Sequence, residues 1–127
     1  MKLETAKRLH DAIGACQELR DLCANESRES YLANRLLKLG VWKLVEIVGE
    51  SLRQAELSEA SLVERIPDLR AIINTRHRIS HGYDSVDFNL LWDIVQVEIP
   101  PLEAVLVTIV HDAPELPAMP DDQQEAF

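Results

Sequence analysis

A chain of 127 residues, 46% of them apolar, has the length and composition for one domain with its own core. With 5% aromatic residues and four glycines, while Leu, Ala, Glu and Arg abound, the composition favours helices over a sandwich or barrel, so the fold class is all-α. A net charge of −9 argues against a broad RNA-binding face, which would leave a basic footprint.

From Lys2 to about Cys23, Ala6, Leu9, Ile13 and Cys16 recur at steps of three and four, the period of an amphipathic helix. Asn25, Ser27 and Ser30 interrupt it with cap and turn formers. A second, longer helix is expected to follow, to about Ala55. It carries two apolar stripes, one through Ala33, Leu37, Gly40, Leu44 and Ile47 and one through Leu32, Leu36 and Leu39, which marks it as the central helix, buried on two sides. Leu57 to Ile66 is weakly periodic and reads as a connection with room for one helical turn. Pro67 suits the first turn of a third helix, with Asp68 at its positive end, and the pattern runs to about His81, where Gly82 is placed to close it. A fourth helix begins near Asp87 and carries Leu91, Ile94, Val95, Leu102, Val105 and Ile109; Pro100 and Pro101 fall inside it and predict a kink. The expected architecture is a four- to five-helix up-and-down bundle over residues 1–110, followed by a tail, 111–127, with too little apolar content to fold and therefore disordered.

That tail holds Asp112, Glu115, Asp121, Asp122 and Glu125 and no Lys or Arg. Removing its five acids leaves 17 acidic against 13 basic side chains over residues 1–110, a net charge of −4. Within the third helix Arg70, Arg76 and Arg78, with His77 and His81, face a single nearby acid, Asp68, so a small polyanion-binding site is possible there. Cys16 and Cys23 lack the two-residue spacing of zinc and redox motifs and read as buried small apolar residues. No leader-like apolar segment stands at the amino terminus and no uninterrupted apolar run reaches about 18 residues, so a cytosolic location with no membrane contact is expected.

The third helix holds the sequence's one local conflict. At about 100° per residue, Leu69, Ile72, Ile73 and Ile79 fall within about 60° of Arg76, so a guanidinium rises from the middle of an apolar face. Either it is a structural arginine, paired with a carboxylate or reaching to the rim, or it serves a ligand. His77 and His81 are four apart and share a helix face; without a third ligand at a usable spacing they make no metal site. His81 is either an ordinary exposed histidine or a group poised near neutrality at a helix carbonyl end. On a straight helix Arg76 and His81 stand about 140° apart and about 7.5 Å along the axis, too far for one tight cluster. Either the arginine reaches toward the helix end or a two-fold related partner completes the cleft, and the apolar residues around Arg76 favour the dimer.

Arg76, four residues, His81, one residue, Tyr83 resembles the signature of HepT, a branch of the HEPN superfamily of helical nucleic-acid-processing proteins. Val48-Gly49-Glu50 is similar to that family's Gly-Glu step. Ser85-Val86-Asp87 and Trp92-Asp93-Ile94-Val95-Gln96, followed by Ile99-Pro100-Pro101-Leu102, are similar to its carboxy-terminal helix. Two positions depart from the pattern: His77 stands where Asn is common after the motif arginine, and Asp68 where Trp is common after the helix-opening proline. The resemblance implies a homodimeric toxin ribonuclease that acts on RNA, with tRNA the expected substrate, without metal or other cofactor. Arg76 and His81 would be catalytic, with His77 and Tyr83 auxiliary. It also implies a partner, a small MntA-type nucleotidyltransferase antitoxin that transfers AMP to Tyr83. The alternatives are a non-catalytic helical dimer that serves such a nucleotidyltransferase as adaptor or substrate, and a plain helical scaffold in which Tyr83 merely packs against the helix end.

Overall fold

A computed structural model describes residues 1–80 and 85–113, and within them the chain is all-helical. α1 (Leu3–Cys23) follows the first predicted helix and buries Ala6, Leu9, Ile13, Cys16 and Leu19 on one face. Cys16 and Cys23 are both buried free thiols, as expected for small apolar residues. Burial pushes the Cys16 thiol up to about 12 and raises that of Cys23, so neither offers a thiolate near neutrality.

The second predicted helix is two helices. α2 (Arg28–Leu32) opens with Ser27, whose hydroxyl accepts the Ser30 N–H while the Ser30 hydroxyl accepts the Ser27 N–H. The chain breaks at Ala33 and Asn34, and Asn34 caps α3 (Arg35–Ser58) by accepting the Leu37 N–H at 3.0 Å. The side-chain acceptor offers the backbone a fresh start that hydrophobic period alone does not reveal. α3 is the central helix, packed against α1 along most of its length and touching α2 and every helix described below. Its buried face is neither predicted stripe: Val41, Val45, Val48, Leu52 and Ala55 turn inward, whereas Leu36 is 82% exposed and Gly40, Leu44 and Ile47 are half-buried. Within one chain α3 is therefore fully buried on one side, while its predicted stripes are only partly covered, Leu37, Leu44 and Ile47 packing against the edge of the core and Leu36 standing exposed.

The connection contains one turn, α4 (Leu62–Arg65), which anchors Leu62 and Ile66 in the core. The third predicted helix is also two, α5 (Leu69–Ile73) and α6 (Thr75–Ile79). It starts after Pro67, because Asp68 takes the left-handed conformation at φ 59° and the helix begins at Leu69. The break at Asn74 has a local cause: the Thr75 hydroxyl donates to the Ile72 carbonyl at 2.7 Å, competing with the helical ladder, and the ladder resumes with the His77 N–H on Asn74. α6 ends at Ile79, short of the predicted His81, with Ser80 extended and in an antiparallel bridge to Val86. The predicted cap at Gly82 and the acidic tail beyond Ala113 lie outside the described residues.

α7 (Phe88–Asp112) is one continuous helix across both prolines. Pro100 and Pro101 have no N–H to return, and the preceding segment Ile94–Glu98 widens into a π turn in which the Ile99 N–H reaches the Ile94 carbonyl. The expected proline disturbance thus takes the form of a change in winding. By length and composition α7 would suffice to cross a membrane. Its apolar residues Leu91, Ile94, Val95, Ile99, Leu102, Leu106 and Ile109 instead form bundle core. Its acids Asp93, Glu98 and Glu103 pair with Arg28, Arg78 and Arg20, which identifies α7 as a core helix of the bundle.

Candidate active site

A groove of about 430 Å³ opens between α1, α3 and the α5–α6 pair. Gly49 sets its floor. A Cβ there would lie 3.5 Å and 3.6 Å from the Ile72 and Ile73 carbonyl oxygens, ordinary contact distances, so α3 and α5 approach closely enough to leave room for a methyl group and little more. Val45, Ile47, Ile72, Ile73 and Ile79 supply apolar wall, and Arg76 stands among them as the sequence led one to expect.

Arg76 is exposed, and among the described residues its guanidinium has neither a hydrogen bond nor an ion pair. Of the two structural alternatives, an arginine paired with a carboxylate is not what α6 presents, whereas one that reaches the rim agrees with the exposure of Arg76 as well as a ligand-serving one does. Its neighbours are different. Arg70 holds Glu56 in a two-pronged pair at 2.8 Å and 2.7 Å, and Arg78 holds Glu98 at 2.8 Å and 2.5 Å. The positive field expected from three arginines therefore reduces, on these helices, to Arg76.

The groove recovers positive charge from other elements: Arg8 comes from α1, and Lys43 and Arg53 come from α3. Arg53 is committed to Glu50, with contacts of 3.1 Å and 3.0 Å, and Gln54 adds another at 3.0 Å. Hydrogen bonds from Arg53 and then Gln54 hold the Glu50 carboxyl down at about 2, so it is an anion at any working pH. Asp11 and Glu46 also line the groove. No motif in the sequence pointed to Arg8, Asp11, Lys43 or Glu46, which reach one place only through the packing of α1 on α3. Gly49-Glu50 alone had been marked, by resemblance.

His77 is exposed on α6. His81 and Tyr83 lie outside the described residues, between Ser80 and Val86, which stand side by side at the end of α6. Among the described residues no group of three or more His, Cys, Asp or Glu is placed to hold a metal ion. Charged and polar side chains outnumber apolar ones along the groove, and the exposed Arg76 guanidinium offers a fork of donors to an anion there. A phosphodiester fits that chemistry.

Residues 12–109 match the sequence family described as Ribonuclease HepT-like. Among curated proteins, the chain is 26% identical to "Probable ribonuclease HepT" of Thermococcus cleftensis, over 81% of this chain and 93% of that one. It is 22% identical to "Putative RNase MJ1216" of Methanocaldococcus jannaschii, over 82% of this chain and 85% of that one. A second protein of that organism, "Putative RNase MJ0125", is 22% identical over 84% of this chain and 91% of its own length. No solved structure matches.

Proposed function

This chain belongs to the HepT-like ribonuclease family, and from that premise we propose that it is a metal-independent endoribonuclease toxin whose cleft is built on Arg76 and His81. The observation that carries the reading is the Arg76 guanidinium, exposed and unpaired among the described residues, in a groove that Arg8 and Lys43 also line. RNA supplies its own nucleophile. The 2′-hydroxyl attacks the adjacent phosphorus, its proton passes to a base, and the bond to the 5′-oxygen breaks as that oxygen takes up a proton. His81 serves as the proton-transfer group, worth about 10² to 10⁴ in rate. Arg76 binds the phosphate through paired hydrogen bonds and stabilises the charge that grows on it. His77, also on α6, is available as an auxiliary phosphate contact.

The working unit in this reading is a cytosolic homodimer. It is supported by the partly covered stripe of α3, where Leu36 is exposed, Gly40, Leu44 and Ile47 are half-buried, and Ile47 lines the groove together with Ile73. A second copy laid on that stripe would bring two sets of Arg76 and His81 to one composite cleft. Tyr83, two residues from His81, is the proposed site of AMP transfer by a small nucleotidyltransferase antitoxin, because an added phosphate there blocks an anion site by bulk and by charge. tRNA is the substrate class implied by the resemblance.

Incubation of the purified protein with tRNA, and with such a nucleotidyltransferase and ATP, tests the proposal. Cleavage by the wild type is expected to be lost in His81→Ala, and AMP is expected on Tyr83, with loss of cleavage, in the wild type but not in Tyr83→Phe. Inert RNA with Tyr83 still modified would instead identify a non-catalytic adaptor.

A further inference from the structure

Most cations in this chain are already committed. Arg20, Arg28, Arg53, Arg70 and Arg78 each hold a carboxylate, Lys2 donates to the Ser58 carbonyl and Lys38 lies over the Phe88 ring. Of the basic side chains that line the groove, Arg76 and Lys43 have no ion pair among the described residues, and Arg8 has only a long one. Arg8 pairs with Glu4 at 4.0 Å, a carboxylate whose side chain is 68% exposed, and its charge also acts on Glu50. The Nε of Arg8 is buried and has no hydrogen-bond partner among the described residues. That nitrogen is closed to solvent and so to a phosphate, which leaves the Nη groups, at the end of a side chain 34% exposed, as the donors an arriving oxyanion can meet.

We propose that Arg8, assisted by Lys43, forms a second phosphate subsite that holds the RNA backbone beside the phosphodiester served by Arg76. The inference rests on the RNA-cleaving reading of the same groove and extends it from one phosphate to a tract of strand. The chemistry selects the ligand. Arg8 offers a planar fork suited to two oxygens of one phosphate, Lys43 adds a point charge, and the two come from different walls of the groove. Asp11 lies one helical turn beyond Arg8 and Glu46 one turn beyond Lys43, so anionic side chains bracket the subsite and restrict where a phosphate can settle. Glu50 is held by Arg53 and Gln54 and does not compete for Arg8 at hydrogen-bond distance.

The test uses the full-length protein and a fluorescent single-stranded oligodeoxynucleotide, which has the phosphates but lacks the attacking hydroxyl, with RNA cleavage measured in parallel. Arg8→Ala and Lys43→Ala are each expected to weaken oligonucleotide binding about 10-fold, as loss of a charge-assisted hydrogen bond does. Each should also flatten the dependence of log affinity on log salt by about 0.7, the value for one single-strand phosphate contact. Arg8→Lys should restore the slope, and Arg35→Ala, which removes an exposed charge outside the groove, should leave it unchanged. Lys43 is exposed, so its variant remains informative if Arg8→Ala folds poorly. Wild-type affinity and slope in both variants, in a protein that cleaves RNA, would overturn the subsite and spare the nuclease. Salt-dependent binding lost in the variants of a protein that cleaves nothing would uphold the subsite and sink the nuclease, and a wild type that neither binds nor cleaves would overturn both.

Discussion

Arg70, Arg76 and Arg78 share one short stretch of chain, and what separates them is the carboxylate each can reach. Glu56 and Glu98 stand 14 and 20 residues from their arginines, so no local pattern announces that two of the three are committed. The apolar company of Arg76 was legible, because a guanidinium at the centre of an apolar helix face is a conflict visible in the period itself. Glu50 shows what the sequence conceals: resemblance marked the residue, but only the fold supplies the partners that fix its charge. Its folded pKa is depressed from the ordinary 4.5 to about 2. Its contribution to stability is therefore fully present above about pH 4.5 and is lost as the pH falls from there through about 2. The melting-temperature difference between wild type and Glu50→Gln is expected to be small, because the group is exposed, and to shrink steadily over that range. A difference that grows on acidification would contradict the assignment.

The long helices α1 and α7 were legible from period, and the start of α3 and the junction of α5 and α6 were not. In both failures a short polar side chain competes with the backbone ladder: Asn34 restarts a helix by accepting from Leu37, and Thr75 draws off the Ile72 carbonyl. A hydrophobic period averages across such residues. The closure of α3 on α5 makes a sharper claim about packing. Gly49→Ala places its Cβ at ordinary contact distance from two carbonyl oxygens and gains up to about 1 kcal/mol of helix propensity, so urea unfolding should show unchanged or higher stability. Gly49→Leu has no room for its branch and should cost about 1–3 kcal/mol while pushing Arg76 off the groove and reducing cleavage. Equal stability for the two variants would mean that α3 and α5 are not in close approach.

At the scale of the molecule, the acidic total conceals a groove in which arginine and lysine side chains from α1, α3 and α6 converge. Composition led correctly to an all-helical bundle. The placing of Arg8 and Lys43 beside Arg76 was beyond sequence reasoning, since it depends on how α1 lies along α3. The partly covered stripe of α3 through Leu36, Leu44 and Ile47 is the other large-scale feature. Paired substitution Leu36→Glu and Ile47→Glu should yield a folded monomer by light scattering, with cleavage reduced because the composite cleft is lost; a variant that remains dimeric would place the interface elsewhere. The central claim is that Arg76 serves a phosphodiester in a groove that cleaves RNA without metal. Its most direct measurement is the single-turnover cleavage rate of purified wild-type and Arg76→Ala protein on RNA in EDTA. The account predicts cleavage by the wild type and a loss on the order of 10² to 10³ in the variant with the fold intact; equal rates, or wild-type cleavage abolished by the chelator, would contradict it.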